Sequence, residues 1–200
     1  VISTLHNLSN RTLSEIEQEL REYGKDAPIE LILPSLYSEL EGAALKNIVS
    51  CLSNVKYLNH ITIGLDKANK SEFIKAKKFF LNLNQPHSVI WNDSPKMKKL
   101  DSDFKKLGIA PNQAGKGKNV WYCMGYTYSR NEAGSVALHD CDITTYNREL
   151  LARLVYPVSN PHFNYEFCKG YYPRIREGTL SGRVTRLLVT PLLKLSLIHI

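Results

Sequence analysis

The stretch Ser135-Val136-Ala137-Leu138-His139-Asp140-Cys141-Asp142-Ile143-Thr144 is a short apolar run that ends abruptly in two carboxylates. In an extended strand successive side chains alternate between faces, which predicts Asp140 and Asp142 on one side and Cys141 on the other. Carboxylates set so close together repel each other and are tolerated best where a divalent cation lies between them, turn or helix-capping aspartates being the plain alternative. Mg²⁺ and Mn²⁺ prefer such hard oxygen ligands, commonly in company with the phosphates of a substrate. In open α/β sheets ligands bind outside the carboxyl ends of the strands, which is where this pair falls. Asp-x-Asp is a short pattern that also arises by chance, and the chain carries its own control in Asp101-Ser102-Asp103. That second pair lies in the lysine-rich amphipathic stretch from Ser94 to Lys106, with no apolar strand before it. Both of its acids read as solvated helix-face charges balanced by nearby lysines.

Outward from this stretch, the chain alternates between two periodicities. Ile29 to Pro34, His60 to Leu65 and His87 to Trp91 read as strands; Glu41 to Ser53, Ser71 to Leu83 and Met97 to Leu107 read as helices. Strands separated by helical patterns of about 10 to 15 residues predict βαβ units and a mostly parallel, Rossmann-like α/β sheet with helices on both faces. Right-handed crossovers then gather the loops Pro34 to Glu39, Leu65 to Lys67 and Asp140 to Asp142 along one edge. Upstream, Ser14-Glu15-Ile16-Glu17 carries a capping-box pattern that opens a helix closed by Gly24, and residues 1–27 are read as a helical appendage outside the sheet. Downstream, residues 147 to 156 read as a helix ended by Pro157, and the aromatic run Phe163 to Tyr172 as a strand.

Two hundred residues with 43% hydrophobic and 22% charged side chains are enough for one sizeable core. The net charge of +7 favours anionic partners. No basic run interleaved with stacking aromatics resembles a nucleic-acid module, so phosphorylated small molecules are the expected partners. The cysteines at 51, 123, 141 and 168 form no Cys-x-x-Cys pair, and a reduced, cytoplasmic protein is expected. No signal peptide and no apolar run of membrane-helix length is visible, so no membrane partner is expected.

Gln113-Ala114-Gly115-Lys116-Gly117-Lys118 places glycines about a lysine just ahead of a predicted helix. Glycine lets backbone approach a ligand closely, and a lysine with helix-start amides offers donors to a phosphate. It is not a P-loop, since the upstream glycine and the following Ser/Thr are missing. A flexible basic turn is the plain alternative, and the carboxylate pair raises the value of the first reading. Further on, Gly182-Arg183-Val184-Thr185-Arg186 precedes an apolar stretch. Its arginines suit either a solvated helix start or a clamp for phosphate or carboxylate.

Taken in order, a strand ending in Pro34-Ser35-Leu36, the Gly-Lys-Gly turn, Asp140-Cys141-Asp142, Phe167-Cys168-Lys169-Gly170-Tyr171-Tyr172 and Gly182-Arg183-Val184-Thr185 leading into Thr190-Pro191-Leu192-Leu193 resemble the retaining GT-A glycosyltransferases related to glucosyl-3-phosphoglycerate synthase. Mannosylglycerate synthases are similar in the Gly-Lys-Gly and Asp-x-Asp-Ile-Thr parts. The resemblance implies a GT-A nucleotide-diphospho-sugar transferase domain over residues 28–195 and metal-dependent transfer, with retention, of glucose from UDP-glucose to 3-phosphoglycerate. It implies donor contacts from Pro34, Ser35, Leu36, Ser38 or Glu39, Asp66, Gly115, Lys116 and Gly117. Asp140 and Asp142 would hold Mg²⁺ or Mn²⁺ and, with Lys116, serve catalysis; Gly182, Arg183, Val184 and Thr185 would receive the acceptor phosphate. A homodimer is compatible with it. Relatives of this kind continue past the equivalent of Leu195, so the domain is expected to be truncated at its C-terminus, with residues 196–200 a foreign tail. Competing readings are a sugar-phosphate nucleotidyltransferase, whose glycine-rich loop after the first strand is missing, and a noncatalytic basic nucleic-acid-binding module.

Overall fold

In a computed structural model, β1 (Ile29–Leu36), β2 (Leu58–Asp66), β3 (His87–Trp91) and β4 (Ser135–Leu138) form one sheet in the order β3-β2-β1-β4, every pairing parallel. The structure describes residues 10–111, 113–170, 174–176, 179–181, 191–192 and 195. Residues 11–168 form one unit; residues 1–10 and 169–200 form a second, in which β5 (Arg174–Arg176) and β6 (Thr179–Ser181) make an antiparallel hairpin.

The sheet explains the apolar runs. Leu31, Ile32, Leu33, Ile61, Ile63 and Leu65 are all fully buried, and the polar Glu30, His60 and Thr62 among them are buried too, because both faces are covered. The helices are α1 (Leu13–Asp26), α2 (Ala43–Leu52), α3 (Lys70–Phe80), α4 (Pro95–Lys106), α5 (Lys116–Arg130) and α6 (Arg148–Ser159). Side-chain caps start most of them: Thr12 with Glu15 and Asn69 with Glu72 are reciprocal capping boxes, and Ser94 and Asn147 cap α4 and α6. No helix among the described residues is long and apolar enough to cross a membrane.

Strand order places the cleft. From β1 the chain steps outward to β2 and β3, then returns through α4 and α5 to lay β4 against the other side of β1. The loops leaving β1 and β4 therefore diverge and open a crevice, the switch point at which such sheets bind ligands.

Several sequence expectations shift. The helix read as closing at Gly24 runs two residues further with Gly24 buried inside it, and it packs on α6 with Ile16 and Leu20 fully buried instead of standing apart from the sheet. α6 likewise passes through Pro157. A proline in the last turn forfeits one backbone hydrogen bond, which a buried ring there offsets. Residues Phe163 to Gly170 form turns and irregular chain, with Asn164 at φ 52°, and no strand. Their aromatic rings instead make edge contacts, Tyr156 to Phe163 and Phe163 to Tyr165.

Between the sheet and α5 lies a buried polar seam. His60 Nε2 lies 3.1 Å from Ser88 Oγ, which lies 2.9 Å from the Tyr126 hydroxyl. Glu30, 1% exposed, faces Arg130 at 3.6 Å and His60 at 3.9 Å. Burial, with help from the Arg130 charge, lowers the His60 pKa to about 4, and burial raises that of Glu30. A histidine held neutral in the fold takes up a proton on unfolding below pH about 6.5, so its contribution to stability is present above that pH and lost as pH falls towards 4. We expect the melting temperature to drop across this window, and His60→Gln to flatten the drop by up to about 3 kcal/mol of unfolding free energy. Parallel melting curves for the two proteins between pH 7 and 4 would remove His60 as the cause.

Candidate functional site

A cavity of about 580 Å³ opens at the switch point. Pro34, Ser35, Leu36 and Glu39 bound it from the end of β1, Asp66 and Lys67 from the end of β2, Asn92 and Asp93 from the end of β3, and Asp142 from the loop after β4. The start of α5 supplies Gly115, Lys116, Lys118, Asn119 and Tyr122, and α4 supplies Met97, Lys98 and Asp101. All of these belong to the unit spanning residues 11–168.

α5 is held against β2 by a close approach. Asn119, 3% exposed, donates from Nδ2 to the Gly64 carbonyl at 2.9 Å, and a Cβ on Gly64 would lie 1.8 Å from Asn119 Oδ1. At the head of the helix Gly115 adopts φ 129°, a conformation that favours glycine, and no side chain caps the first turn. The amides of that turn, beside Lys116 and Gly115 in the cavity wall, are suited to an anion. The predicted turn ahead of a helix is thus the helix start itself.

Strand β4 ends at Leu138, two residues before the first carboxylate, and Cys141 and Asp142 lie in a turn. Burial still alternates: Cys141 is buried and Asp142 exposed. Asp142 reaches the cavity; Asp140 is drawn to Lys116, whose Nζ lies 2.5 Å from Asp140 Oδ1. Glu39 faces the cavity while accepting from the Leu36 amide at 2.9 Å and Ser35 Oγ at 3.1 Å, whereas Ser38 is exposed and outside the lining. Asp66 accepts from Asn92 Nδ2 at 2.8 Å, and burial raises its pKa. Gly117 stands in the first turn of α5 but outside the lining. Gly182, Arg183, Val184 and Thr185 lie outside the described residues.

The control pair behaves differently from the expectation. Asp103 is a surface charge paired with Lys106 at 3.2 Å, as read. Asp101 instead faces the cavity, accepting from Tyr122 Oη at 2.6 Å and pairing with Lys118 at 2.5 Å and Lys105 at 3.0 Å. Hydrogen bonds from Lys118 and Tyr122 hold its carboxyl far below the usual carboxylate range. Sequence reasoning also passed over Lys118, Asn92 and Asn119; Lys118 repeats the lysine of Gly-Lys-Gly two positions on, the one available signal.

Charge balance shows what the cavity lacks. Lys67, Lys98, Lys116 and Lys118 line it against Glu39, Asp66, Asp93, Asp101 and Asp142. The overall +7 is therefore not expressed here, and a diphosphate would meet at least as many carboxylates as cations. A divalent ion on Asp142 and Asp140, its other positions taken by water and phosphate oxygens, fits that deficit and the hard-oxygen donor set. No group of three potential metal ligands occurs among the described residues.

Asp101 generates a direct expectation. Asp101→Ala should destabilise the chain by roughly 1 to 3 kcal/mol, since it leaves the Tyr122 hydroxyl and Lys118 without their partner. Asp103→Ala should change stability by less than about 0.5 kcal/mol. Urea denaturation of the two variants checks this, and equal effects would contradict it.

No family model matches the chain. Its sequence is similar to glucosyl-3-phosphoglycerate synthase of Persephonella marina, 46% identical over 194 residues, 97% of this chain and 48% of that protein. It is also similar to glucosyl-3-phosphoglycerate synthase of Methanococcoides burtonii, 40% identical over 169 residues, 83% of this chain and 41% of that protein. The chain thus spans about half the length of these curated relatives. Among solved structures, glucosyl-3-phosphoglycerate synthase from Mycobacterium tuberculosis, in complex with Mn²⁺, UDP and glucosyl-3-phosphoglycerate, superposes with a TM-score of 0.54 at 20% identity, covering 96% of this chain and 56% of that one. At that identity the likeness is one of fold, and the fold is the GT-A arrangement that the sequence resemblance implied.

Proposed function

We propose that this chain, a sequence relative of the glucosyl-3-phosphoglycerate synthases, forms the nucleotide-sugar-binding part of a retaining glucosyltransferase that uses UDP-glucose and 3-phosphoglycerate. The observation that carries the reading is the convergence, at the switch point of a parallel sheet, of Asp142, the Lys116–Asp140 pair, the uncapped start of α5 and the Pro34–Leu36 strand end on one cavity. Its volume of about 580 Å³ is of the size that ligand pockets have.

In this reading the nucleoside end lies along Pro34, Ser35, Leu36 and Glu39 with Asp66 on the floor, and the diphosphate reaches the start of α5. Asp66, made a stronger proton acceptor by its buried position, suits an N–H of a planar base. Lys116 leaves Asp140 to meet the phosphates, so that its positive charge lies where negative charge grows as the sugar departs. Release of Asp140 completes the carboxylate pair for the ion. Mg²⁺ or Mn²⁺, when bound, supplies Lewis-acid stabilisation of the leaving diphosphate. Retention by attack on the face of departure leaves the diphosphate oxygen to accept the acceptor's proton.

Calorimetric titration of UDP with and without Mn²⁺ tests the reading. Affinity should depend on the ion, and Asp142→Ala should abolish that dependence, whereas Asp103→Ala should leave it intact. UDP binding indifferent to both the ion and Asp142 would sink the assignment. Lys116→Ala should weaken UDP by roughly tenfold or more while barely changing uridine, since only the diphosphate meets its charge. On the acceptor side, Arg183→Lys should raise the requirement for 3-phosphoglycerate and leave UDP affinity alone, because an ammonium cannot reproduce a bidentate guanidinium contact. Assays of transfer in the presence of varied 3-phosphoglycerate check this, and an unchanged dependence would remove Arg183 from the acceptor site.

A further inference from the structure

A second cavity, of about 310 Å³, is lined by Glu17 and Arg21 of α1, by Asn54, Lys56 and Tyr57 ahead of β2, and by Arg148 at the start of α6. Tyr57 immediately precedes the first residue of β2, and Asp66 of the donor cavity is its last. At about 3.3 Å per residue the two cavities are roughly 30 Å apart along that strand.

Three cations here meet one carboxylate, and that carboxylate is engaged. Arg148 Nε donates to Glu17 Oε1 at 3.0 Å and its Nη2 to Oε2. Arg21 uses only Nε, on the Glu17 carbonyl at 3.3 Å. Among the described residues, Arg148 Nη1, both terminal nitrogens of Arg21 and Lys56 Nζ have no acceptor. Tyr57 is 3% exposed, and its buried hydroxyl has no hydrogen-bond partner. Unspent donors from three separate segments thus converge on one polar hollow. Neither the fold nor the donor site uses them: the Glu17 ion pair alone would tie α1 to α6.

We propose that this cavity is a binding site for a small phosphorylated anion, held by Arg21, Lys56 and Arg148. Two planar guanidinium groups and an ammonium match the several oxygens and double charge of a phosphate better than a monovalent ion. The volume lies at the low end for ligand pockets, which suits inorganic phosphate or a phosphorylated acid of two or three carbons. An occupant would bridge α1, the lead into β2 and α6, and so stabilise the unit that carries the donor cavity from its far end.

Inorganic phosphate is the probe, titrated calorimetrically and in melting experiments at constant ionic strength with chloride as the balancing anion. A Lys116→Gln background removes one of the four lysines lining the donor cavity and so weakens phosphate binding there, and the substitutions below assign the binding that is left. We expect phosphate binding to persist in that background and the melting temperature to rise by about 3 °C or more near saturation. Adding Arg21→Gln and Lys56→Gln should weaken phosphate at least tenfold and abolish the rise; both side chains are exposed, so the transition without phosphate should stay in place. Absence of phosphate binding in the Lys116→Gln protein, or binding unchanged by the two added substitutions, would overturn the proposal. Glycerol 3-phosphate, run alongside, separates the sources: tighter binding than phosphate points to an organic phosphate, equal binding to the phosphate group alone.

Discussion

The contact between Asn119 and Gly64 fixes more of the site than any other. Because Gly64 lacks a Cβ, α5 comes down onto β2 until a buried amide donates to the strand's own carbonyl. That seating sets the height of the helix start above the strand ends, and with it the positions of Lys116 and Lys118 relative to Asp66 and Leu36. Lys118 then reaches Asp101 of α4, and Lys116 reaches Asp140 beyond β4. α4 has no fully buried residue and depends on such ties, so a shift of α5 would move three walls of the cavity together.

The same contacts give the cavity its electrostatic character. A strongly basic chain would be expected to hold phosphates by excess lysine, yet here each lysine of the α5 start is already matched by a carboxylate. Without a ligand this keeps like charges apart. With a ligand, the pairs must be exchanged, and a cation that takes up the freed carboxylates favours the exchange. Under the proposed function, coupling of anion and divalent ion would be a consequence of this pairing.

The parallel α/β architecture was legible because it rests on local signals, apolar strands and helices of the right length between them; the capping box was misplaced, since Ser14 and Glu17 lie inside α1 and Thr12 with Glu15 caps it. The direction of the cleft was legible too, since strand-end loops gather on one edge whatever the side chains. Asp101 was not. Within its own helix it is indistinguishable from Asp103, and only the register of α4 against α5 turns one acid inward to Lys118 and Tyr122 while the other meets solvent. The aromatic run after Pro161 failed for the opposite reason: composition suited a strand, but Asn164 takes a left-handed turn and the rings pack on α6 and one another. β propensity records fit to a half-buried surface, and among the described residues no neighbouring strand pairs with this segment.

The donor cavity draws every lining residue from a unit with its own core, the fully buried residues of β1 and β2 and of α2 and α6. Its geometry is thus determined by packing local to residues 11–168. The segment to which the sequence assigns the acceptor phosphate, 182–185, falls in the other unit. Under the proposed function donor binding and acceptor binding would for this reason be separable properties, the first resting on how one sheet and two helices pack and the second calling on residues of the other unit. A chain spanning about half its relatives' length would, under the proposed function, bind a nucleotide through this unit alone, while transfer would call on residues outside it.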